Sequence, residues 1–243
     1  MKKTLSLISC ISAILLFTSQ PGISQVSFTN LNFERATIVP VTGSPYYPDE
    51  VIASNAIPGW MAYLDGNPRT TIIYNEFSLG SALVSIHDTN DTSGPFVGLP
   101  TTVLQGRYSV ALQPSNPGGV LTAAIGQTAT LPSTAQSVRF YATEPMAVTF
   151  AGQYVPISLL SSTPNYNIYG GDITAFMGGQ TGELRFQAIV SSGFGITLLD
   201  NISFSSQPIP EPSGLALFGV GTLLLGFFRR RNSRLSRCII ARL

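Results

Sequence analysis

The chain has 243 residues, enough for one large all-β domain or two small ones, and its 44% hydrophobic content supports a packed core. Charged residues make up only 10%, a composition that excludes an intrinsically disordered chain and favours a β protein outside the cytoplasm. The formal net charge of +1 is unevenly spread. Residues 25–204, called the body below, carry five arginines, no lysine and eleven acids, a net charge of −6 that excludes nucleic-acid binding.

Residues 1–24 have the three-part pattern of a secretory signal peptide. Two lysines precede an apolar run over residues 5–17, and the small residues Gly22 and Ser24 occupy the positions that a signal peptidase reads. We therefore predict export and cleavage after Ser24. Both cysteines of the chain lie in the terminal segments, so the exported body would contain no thiol and no disulfide.

The body shows the short-period patterns of strands and none of the longer periodicity of helices. Pro, Gly, Asn and Ser mark turns between short segments in which apolar residues alternate with polar or small ones. These segments are 108–112, 138–142, 146–150, 184–190 and 196–204. Short alternating strands separated by turns are typical of two antiparallel sheets packed face to face. We predict an all-β body that folds as one antiparallel jelly-roll β-sandwich.

Three short fragments of the body resemble a known group of jelly rolls. Residues 32–34 read Asn-Phe-Glu, residues 57–60 read Ile-Pro-Gly-Trp, and residues 199–204 read Leu-Asp-Asn-Ile-Ser-Phe. In this order they are similar to the galactose-binding-like jelly rolls, which include many carbohydrate-binding modules. The resemblance implies first and last strands that lie near each other, with Glu34 and Asp200 as oxygen ligands of a structural calcium ion. The alternative is that both acids are surface or turn residues bonded to nearby backbone.

Aromatic side chains at the second fragment are candidates for stacking on a sugar ring. Trp60 follows Pro58 and Gly59, and Tyr63 lies three residues further on. Trp60 and Tyr63 are the candidate ligand-binding residues. For Trp60, burial of the indole in the core is the favoured interpretation.

The chain shows no pattern of a known catalytic centre. It lacks a nucleophile elbow, a phosphate-binding loop, a Cys or His cluster for zinc and a complete dinucleotide fingerprint. His87 is the only histidine, and Ser85 and Asp88 lie near it in sequence. Because consecutive residues of a strand point to opposite faces, we predict a solvated strand-end histidine rather than a catalytic triad. We predict that the body is not an enzyme. The alternative is a glycoside hydrolase that uses a pair of carboxylates.

Residues 205–231 combine a polar spacer, an apolar segment and a cluster of arginines. The spacer ends in Pro210, Glu211 and Pro212, and the segment 214–228 carries no charge. We predict an apolar helix over this segment. It is shorter than the about 20 residues of a permanent membrane span, which favours a temporary anchor.

Positive charge directly follows the apolar segment. Arg229, Arg230 and Arg231 mark the end that stays in the cytoplasm, so the body is predicted to lie outside and residues 232–243 to form a basic cytoplasmic tail. The order of these parts resembles the PEP-CTERM tail of bacterial exosortase substrates, although such tails usually stop soon after the arginines. The resemblance implies a transient membrane anchor and an exosortase that cuts near the Pro-Glu-Pro sequence. The body would then reach the cell surface or the extracellular space.

These features predict an exported component of the bacterial envelope or extracellular matrix. The body is predicted to be a non-catalytic binding or structural module, with polysaccharide as its candidate ligand and calcium as its candidate cofactor. The alternative is a secreted hydrolase that acts on polysaccharide through two carboxylates. A third interpretation is a structural or adhesive protein that binds no small ligand.

Overall fold

The computed structural model describes residues 26–46, 48–115, 121–189 and 195–209. The predicted signal peptide lies outside these residues, as do the Pro-Glu-Pro sequence, the apolar segment and the basic tail. Within the described ranges, no helix has both the length and the apolar character needed to cross a membrane.

The described residues consist mainly of short strands, which confirms the predicted all-β class. The strands are β1 Glu50–Ile52, β2 Met61–Leu64, β3 Asn67–Arg69, β4 Thr71–Tyr74, β5 Leu83–Asp88, β6 Tyr108–Gln113, β7 Ala123–Thr130, β8 Ser137–Ala142, β9 Met146–Phe150, β10 Gln153–Val155, β11 Ile157–Ser162, β12 Asn167–Asp172, β13 Thr181–Ala188 and β14 Thr197–Ser205. One helical turn, α1, spans Ala53–Ala56, and one 3-10 turn spans Gly94–Val97.

The strands form two sheets. One sheet has eight strands in the order β1-β4-β5-β6-β14-β8-β12-β11, and the other has six in the order β10-β9-β13-β7-β2-β3. From β6 to β9 each consecutive strand changes sheet, and β14 returns to lie between β6 and β8. This winding is that of a jelly roll, so the predicted sandwich is confirmed.

One pair of strands departs from the antiparallel prediction. β4 and β5 run parallel, with Ile73 opposite Ser85 and Tyr74 opposite Ile86. A tight hairpin cannot join parallel neighbours, because the chain must first return to the end of the sheet at which the first strand began. Residues 75–82 make this return.

The core lies between the sheets and is built by strand alternation. In β13, the side chains of Leu184, Phe186 and Ala188 are 1%, 0% and 2% exposed. The neighbouring strand β9 contributes Val148 and Phe150, both fully buried. Burial of one such large apolar side chain contributes roughly 1.5–3 kcal/mol. A register slip of one residue would turn all of them toward solvent, so this burial also fixes the strand pairing.

A second, smaller apolar cluster lies on the outer face of the eight-stranded sheet. It contains Leu104, Ala111, Ile196 and Leu198, all at most 8% exposed. Residues 89–107, called the covering segment below, connect β5 to β6 and supply Leu104 to this cluster. The middle of this sheet is therefore buried on both faces. In β6, for example, all six residues are buried.

Candidate functional site

Asp200 lies in β14 and is 1% exposed. Its Oδ2 atom accepts hydrogen bonds from the backbone N–H of Gln105 at 3.0 Å and from the Ser109 hydroxyl at 2.8 Å. Its Oδ1 atom accepts one from the N–H of Asn201 at 2.6 Å. One carboxylate therefore joins the last strand to the covering segment and to β6.

Glu34 reaches the same stretch of chain from the N-terminal side. Its Oε1 atom accepts hydrogen bonds from the backbone N–H groups of Arg107 at 2.8 Å and Tyr108 at 3.2 Å. Gly106 has a φ of +66°, and a Cβ atom at this position would collide with the Glu34 carboxylate. The structure thus brings the two predicted metal ligands, Glu34 and Asp200, to one short piece of backbone.

The two carboxylates repel each other when both are charged. Burial raises the pKa of Asp200 to about 7, the hydrogen bonds that it accepts oppose this rise, and the charge of Glu34 adds to it. A hard cation beside the two carboxylates would offset their mutual repulsion and the rise in the pKa of Asp200. No cluster of three or more His, Cys, Asp or Glu side chains suited to a metal occurs in the described part of the chain. Calcium at this place would therefore need backbone carbonyls and water as further ligands.

Trp60 belongs to the core. It is 4% exposed, and its Nε1–H group donates a hydrogen bond of 3.0 Å to the backbone oxygen of Asn30. Its ring centroid lies 5.9 Å from that of Phe33 and 6.1 Å from that of Phe186. An indole enclosed in this way presents no face to a sugar ring. Trp60 is therefore corrected from a candidate ligand residue to a core residue.

The outer face of the six-stranded sheet, called the open face below, carries a row of side chains across five strands. The register places Met61, Gly126, Arg185, Thr149 and Tyr154 side by side on β2, β7, β13, β9 and β10. Met61 is 43% exposed and Tyr154 is 62% exposed. Four strand spacings separate these two ends, a distance of roughly 19 Å. The row is long enough to contact several sugar rings.

Tyr63, the second predicted ligand residue, lies on this open face. Its hydroxyl donates a hydrogen bond of 2.7 Å to Oε1 of Glu183. The guanidinium carbon of Arg185 lies 3.8 Å from the centre of the Tyr63 ring, at cation–π distance. Burial and the bond to Glu183 raise the pKa of the Tyr63 hydroxyl, which keeps it a hydrogen-bond donor at neutral pH.

The floor between these larger side chains is made of small residues. The register places Ala124 beside Tyr63 and Ala147 beside Gln187. A Cβ atom on Gly126 would lie 2.5 Å from Oε1 of Glu183, so the carboxylate of this side chain lies directly over Gly126. Ala124 is only 2% exposed. Larger side chains therefore cover the small residues of the open face, and Met61 and Tyr154 are exposed at its two ends.

The burial of His87, which is 0% exposed, contradicts the prediction that this histidine is solvated. Its Nε2 atom lies 2.7 Å from Oγ of Ser85, and its Nδ1 atom lies 2.5 Å from Oδ2 of Asp91. The Phe77 ring stacks on the imidazole at a centroid distance of 4.3 Å. The predicted solvated histidine is wrong because the covering segment folds over this end of β5.

The Ser85, His87 and Asp91 side chains have the connectivity of a catalytic triad but not its accessibility. Ser85 is only 1% exposed, so its hydroxyl cannot meet a substrate. Burial acts to raise the pKa of Asp91, but hydrogen bonds from His87 and Ser93 lower it below its usual value. The three groups thus fasten the start of the covering segment to β5. The spacing of Ser85 and His87, two positions apart on one strand face, was a signal for this pairing.

Two cavities lie on the eight-stranded side of the molecule. One, of about 500 Å³, is lined by the covering segment, including Asp91, Thr102 and Gln105. The other, of about 630 Å³, lies beside β1 and β4 and reaches β2 and β3 at Leu64 and Arg69. Three acids, Asp49, Glu50 and Glu76, line this second cavity.

Solved structures with a similar course of the chain share little sequence with it. The Stig cyclase Fisc from Fischerella sp. TAU has 13% identity and a TM-score of 0.45, with 76% of this chain and 98% of that chain covered. The carbohydrate-binding module TmCBM61, solved with beta-1,4-galactotriose, has 14% identity and a TM-score of 0.33, with 76% and 100% covered. The K2 cleaved adhesin domain of Lys-gingipain has 16% identity and a TM-score of 0.38, with 72% and 95% covered. At these scores the likenesses assign no function to this chain.

No curated protein sequence matches the chain. A family model does match its C-terminal part, over residues 208–232. These residues include the Pro-Glu-Pro sequence, the apolar segment and the arginine cluster, in the order on which the predicted resemblance to a PEP-CTERM tail rests. The chain carries a PEP-CTERM protein-sorting motif, which implies export and a C-terminal membrane anchor before processing.

Proposed function

We propose that this protein is an exported component of the bacterial envelope or extracellular matrix whose body binds a polysaccharide on the open face without cleaving it. The observation that carries the proposal is the row from Met61 to Tyr154, with exposed side chains at both ends and the partly exposed Arg185 and Glu183 side chains between them. The PEP-CTERM motif supports a location in the envelope or extracellular matrix, because it directs the chain to the membrane before an exosortase processes it.

The chemistry of the open face fits a sugar chain. Sugar rings offer apolar C–H faces to aromatic side chains, and Tyr154 is exposed enough to present its ring in this way. Hydroxyl groups need donors and acceptors in fixed positions, which Arg185 and Glu183 supply. The Nε atom of Arg185 has no hydrogen-bond partner in the described residues and lies 3.9 Å from Oε2 of Glu183, and the Arg185 side chain as a whole is 26% exposed.

We also propose that Glu34 and Asp200 hold a structural calcium ion. The support is two carboxylates on one piece of backbone, with the pKa of Asp200 raised to about 7 by burial. The ion would allow both to stay charged, and it would fix the end of the covering segment against β14. In this role calcium stabilises the fold and takes no part in sugar binding.

The polysaccharide proposal is tested by glycan-array and affinity-gel measurements on the mature protein. Tyr154→Ala removes a 62% exposed ring from the open face, and we expect roughly tenfold weaker binding. The matched control is Tyr46→Ala, because Tyr46 is 66% exposed but lines the cavity of about 630 Å³ on the other side. Saturable binding that is equally strong in all three proteins would contradict the assignment of the open face.

The hydrolase stays the second candidate because Glu50 and Glu76 line one cavity. Hydrogen bonds from Ser44 and Thr71 lower the pKa of Glu50, which suits a base or nucleophile better than an acid. Release of reducing ends from a bound polysaccharide, abolished in Glu76→Gln but retained in Glu183→Gln, would favour this candidate over a binding module.

A further inference from the structure

The last described residues of the chain are bonded to the body. The backbone N–H of Gln136 donates a hydrogen bond of 2.8 Å to the carbonyl oxygen of Ser205. The next residue, Ser137, donates its hydroxyl to the carbonyl oxygen of Gln207 at 2.7 Å. The chain therefore stays attached to the start of β8 beyond the end of β14.

Ile209 continues this attachment on the outer face of the eight-stranded sheet. A Cβ atom on Gly170 would lie 2.6 Å from Cδ1 of Ile209 and 2.7 Å from Cδ1 of Leu160. The absence of a side chain at Gly170 thus creates a cradle in β12 that the Ile209 and Leu160 side chains fill. Gly170 is buried and Ile209 is half-buried. Gly170 has no positive φ, so its space and not its backbone conformation requires glycine here.

This contact involves the sorting motif itself. The motif begins at residue 208, so Ile209 is its second residue. From Ile209 to Gly214, where the apolar segment starts, there are five Cα-to-Cα steps, which span at most about 18 Å. A folded domain of the size of the body has a radius of gyration of about 16 Å. While Ile209 is docked, the body is therefore held close to the membrane that contains the apolar segment.

We infer that the docking of Ile209 in the Gly170 cradle restrains processing of the sorting motif. An enzyme that cuts between the body and the membrane must bind the motif as an extended chain and needs room on both sides of it. Release of residues 205–209 from the sheet adds five residues, or about 18 Å of reach. The processing rate then follows the fraction of molecules in which this segment is undocked. The inference does not depend on polysaccharide binding, since the docking site and the open face lie on different sheets.

The test uses the full chain with a C-terminal epitope tag in a bacterium that has an exosortase. Ile209→Ser removes the apolar side chain, and Gly170→Ala fills its cradle with one methyl group. We expect both variants to lose the tagged tail several-fold faster than the unaltered chain in a pulse-chase experiment. Ile189→Ser is the control, because it makes the same change at an isoleucine that is 47% exposed. It should be processed at the unaltered rate.

A second variant and a second measurement distinguish restraint from loss of folding. Insertion of four Gly and Ser residues after Ile209 lengthens the free chain and should speed processing while the docking stays intact. Hydrogen exchange of the Gln136 amide reports docking directly, because this amide bonds to Ser205. In Ile209→Ser the exchange should become faster, while the amides of β6 should keep their protection. Unchanged Gln136 exchange, or faster exchange with an unchanged processing rate, would overturn the inference.

Discussion

The two outer faces of the sandwich differ in what their polar side chains contact. On the eight-stranded sheet, Asp200 and Glu34 accept hydrogen bonds from the backbone of the covering segment, and His87 bonds within the protein on both sides of its ring. On the six-stranded sheet, Arg185 and Tyr63 meet each other in a partly exposed layer. Polar groups on the first face complete the fold, whereas those on the second bond to one another and stay partly exposed.

The largest expected effect is on stability, from Asp200→Ala on the outer face of the eight-stranded sheet, called the covered face below. This change leaves three donors without their acceptor, and each unsatisfied buried donor costs about 1–3 kcal/mol. We expect a loss of roughly 3 kcal/mol in the free energy of unfolding, measured by urea denaturation. On the open face, Glu183→Ala leaves its former partners in contact with water, and we expect a change of about 0.5 kcal/mol or less. Similar losses in both variants would remove the distinction between the faces.

Calcium should stabilise the covered face and leave the open face unaffected. A ligand that binds only the native state at a hundred times its Kd adds about 2.7 kcal/mol. We expect a higher melting temperature with calcium than with a chelator, and no difference between the two conditions in the double variant Glu34→Gln, Asp200→Asn. Polysaccharide binding should be the same in both conditions. If the unaltered protein melts at one temperature with calcium and with chelator, the metal proposal fails.

Displacing the Glu183 carboxylate on the open face should weaken binding with little effect on stability. In Gly126→Val, the new side chain displaces the Glu183 carboxylate, because a Cβ atom would lie 2.5 Å from its Oε1 atom. We expect roughly tenfold weaker polysaccharide binding, about 1.4 kcal/mol, in affinity gels. Ser203→Val is the control, because Ser203 is an exposed strand position on the eight-stranded sheet. Undiminished binding by Gly126→Val would show that the ligand does not contact the Glu183 carboxylate.

The smallest effect concerns pH and the start of the covering segment. Burial acts to raise the pKa of Asp88, but hydrogen bonds from Asn75, Tyr74 and Asn90 lower it below the usual 3.8. The unfolded chain then takes up a proton before the folded one does, so the free energy of unfolding falls as pH falls below about 4. Hydrogen exchange at pH 3 and pH 5, corrected for intrinsic rates, should show faster opening of residues 89–93 at pH 3. In Asp88→Asn this pH dependence should become weaker, and the part that remains should come from Asp91, whose pKa is also lowered.

The strand pattern of the sequence predicted much of the fold. The alternation at 138–142, 146–150 and 184–190 corresponds to β8, β9 and β13, with Phe140, Val148 and Phe186 facing the core. Alternation is reliable here because one face of each strand meets the core and the other meets solvent.

Alternation predicted the burial of side chains wrongly where a loop covers the sheet. Residues 108–112 were expected to be half-buried, but all six residues of β6 are buried because the covering segment lies on their outer side. In β14, the single alternation expected from Ile196 to Phe204 is interrupted by a register shift between Asp200 and Ser203. Leu198 consequently packs on the outer face, and Ile202 packs in the core. A bulge of this kind depends on strand pairing, which period-two patterns do not contain.

The sequence by itself determined the class of the fold, the sorting motif and the acidic character of the body, because each depends on residue types that follow one another along the chain. Only the tertiary structure decided which side chains share a site. The approach of Glu34 to Asp200, of Tyr63 to Arg185 and of Ile209 to Gly170 joins residues far apart in sequence, and it results from how the sheets wind and which face a loop covers. The burial of His87 and Trp60 has the same origin, since a residue's exposure depends on neighbours that its local sequence does not specify.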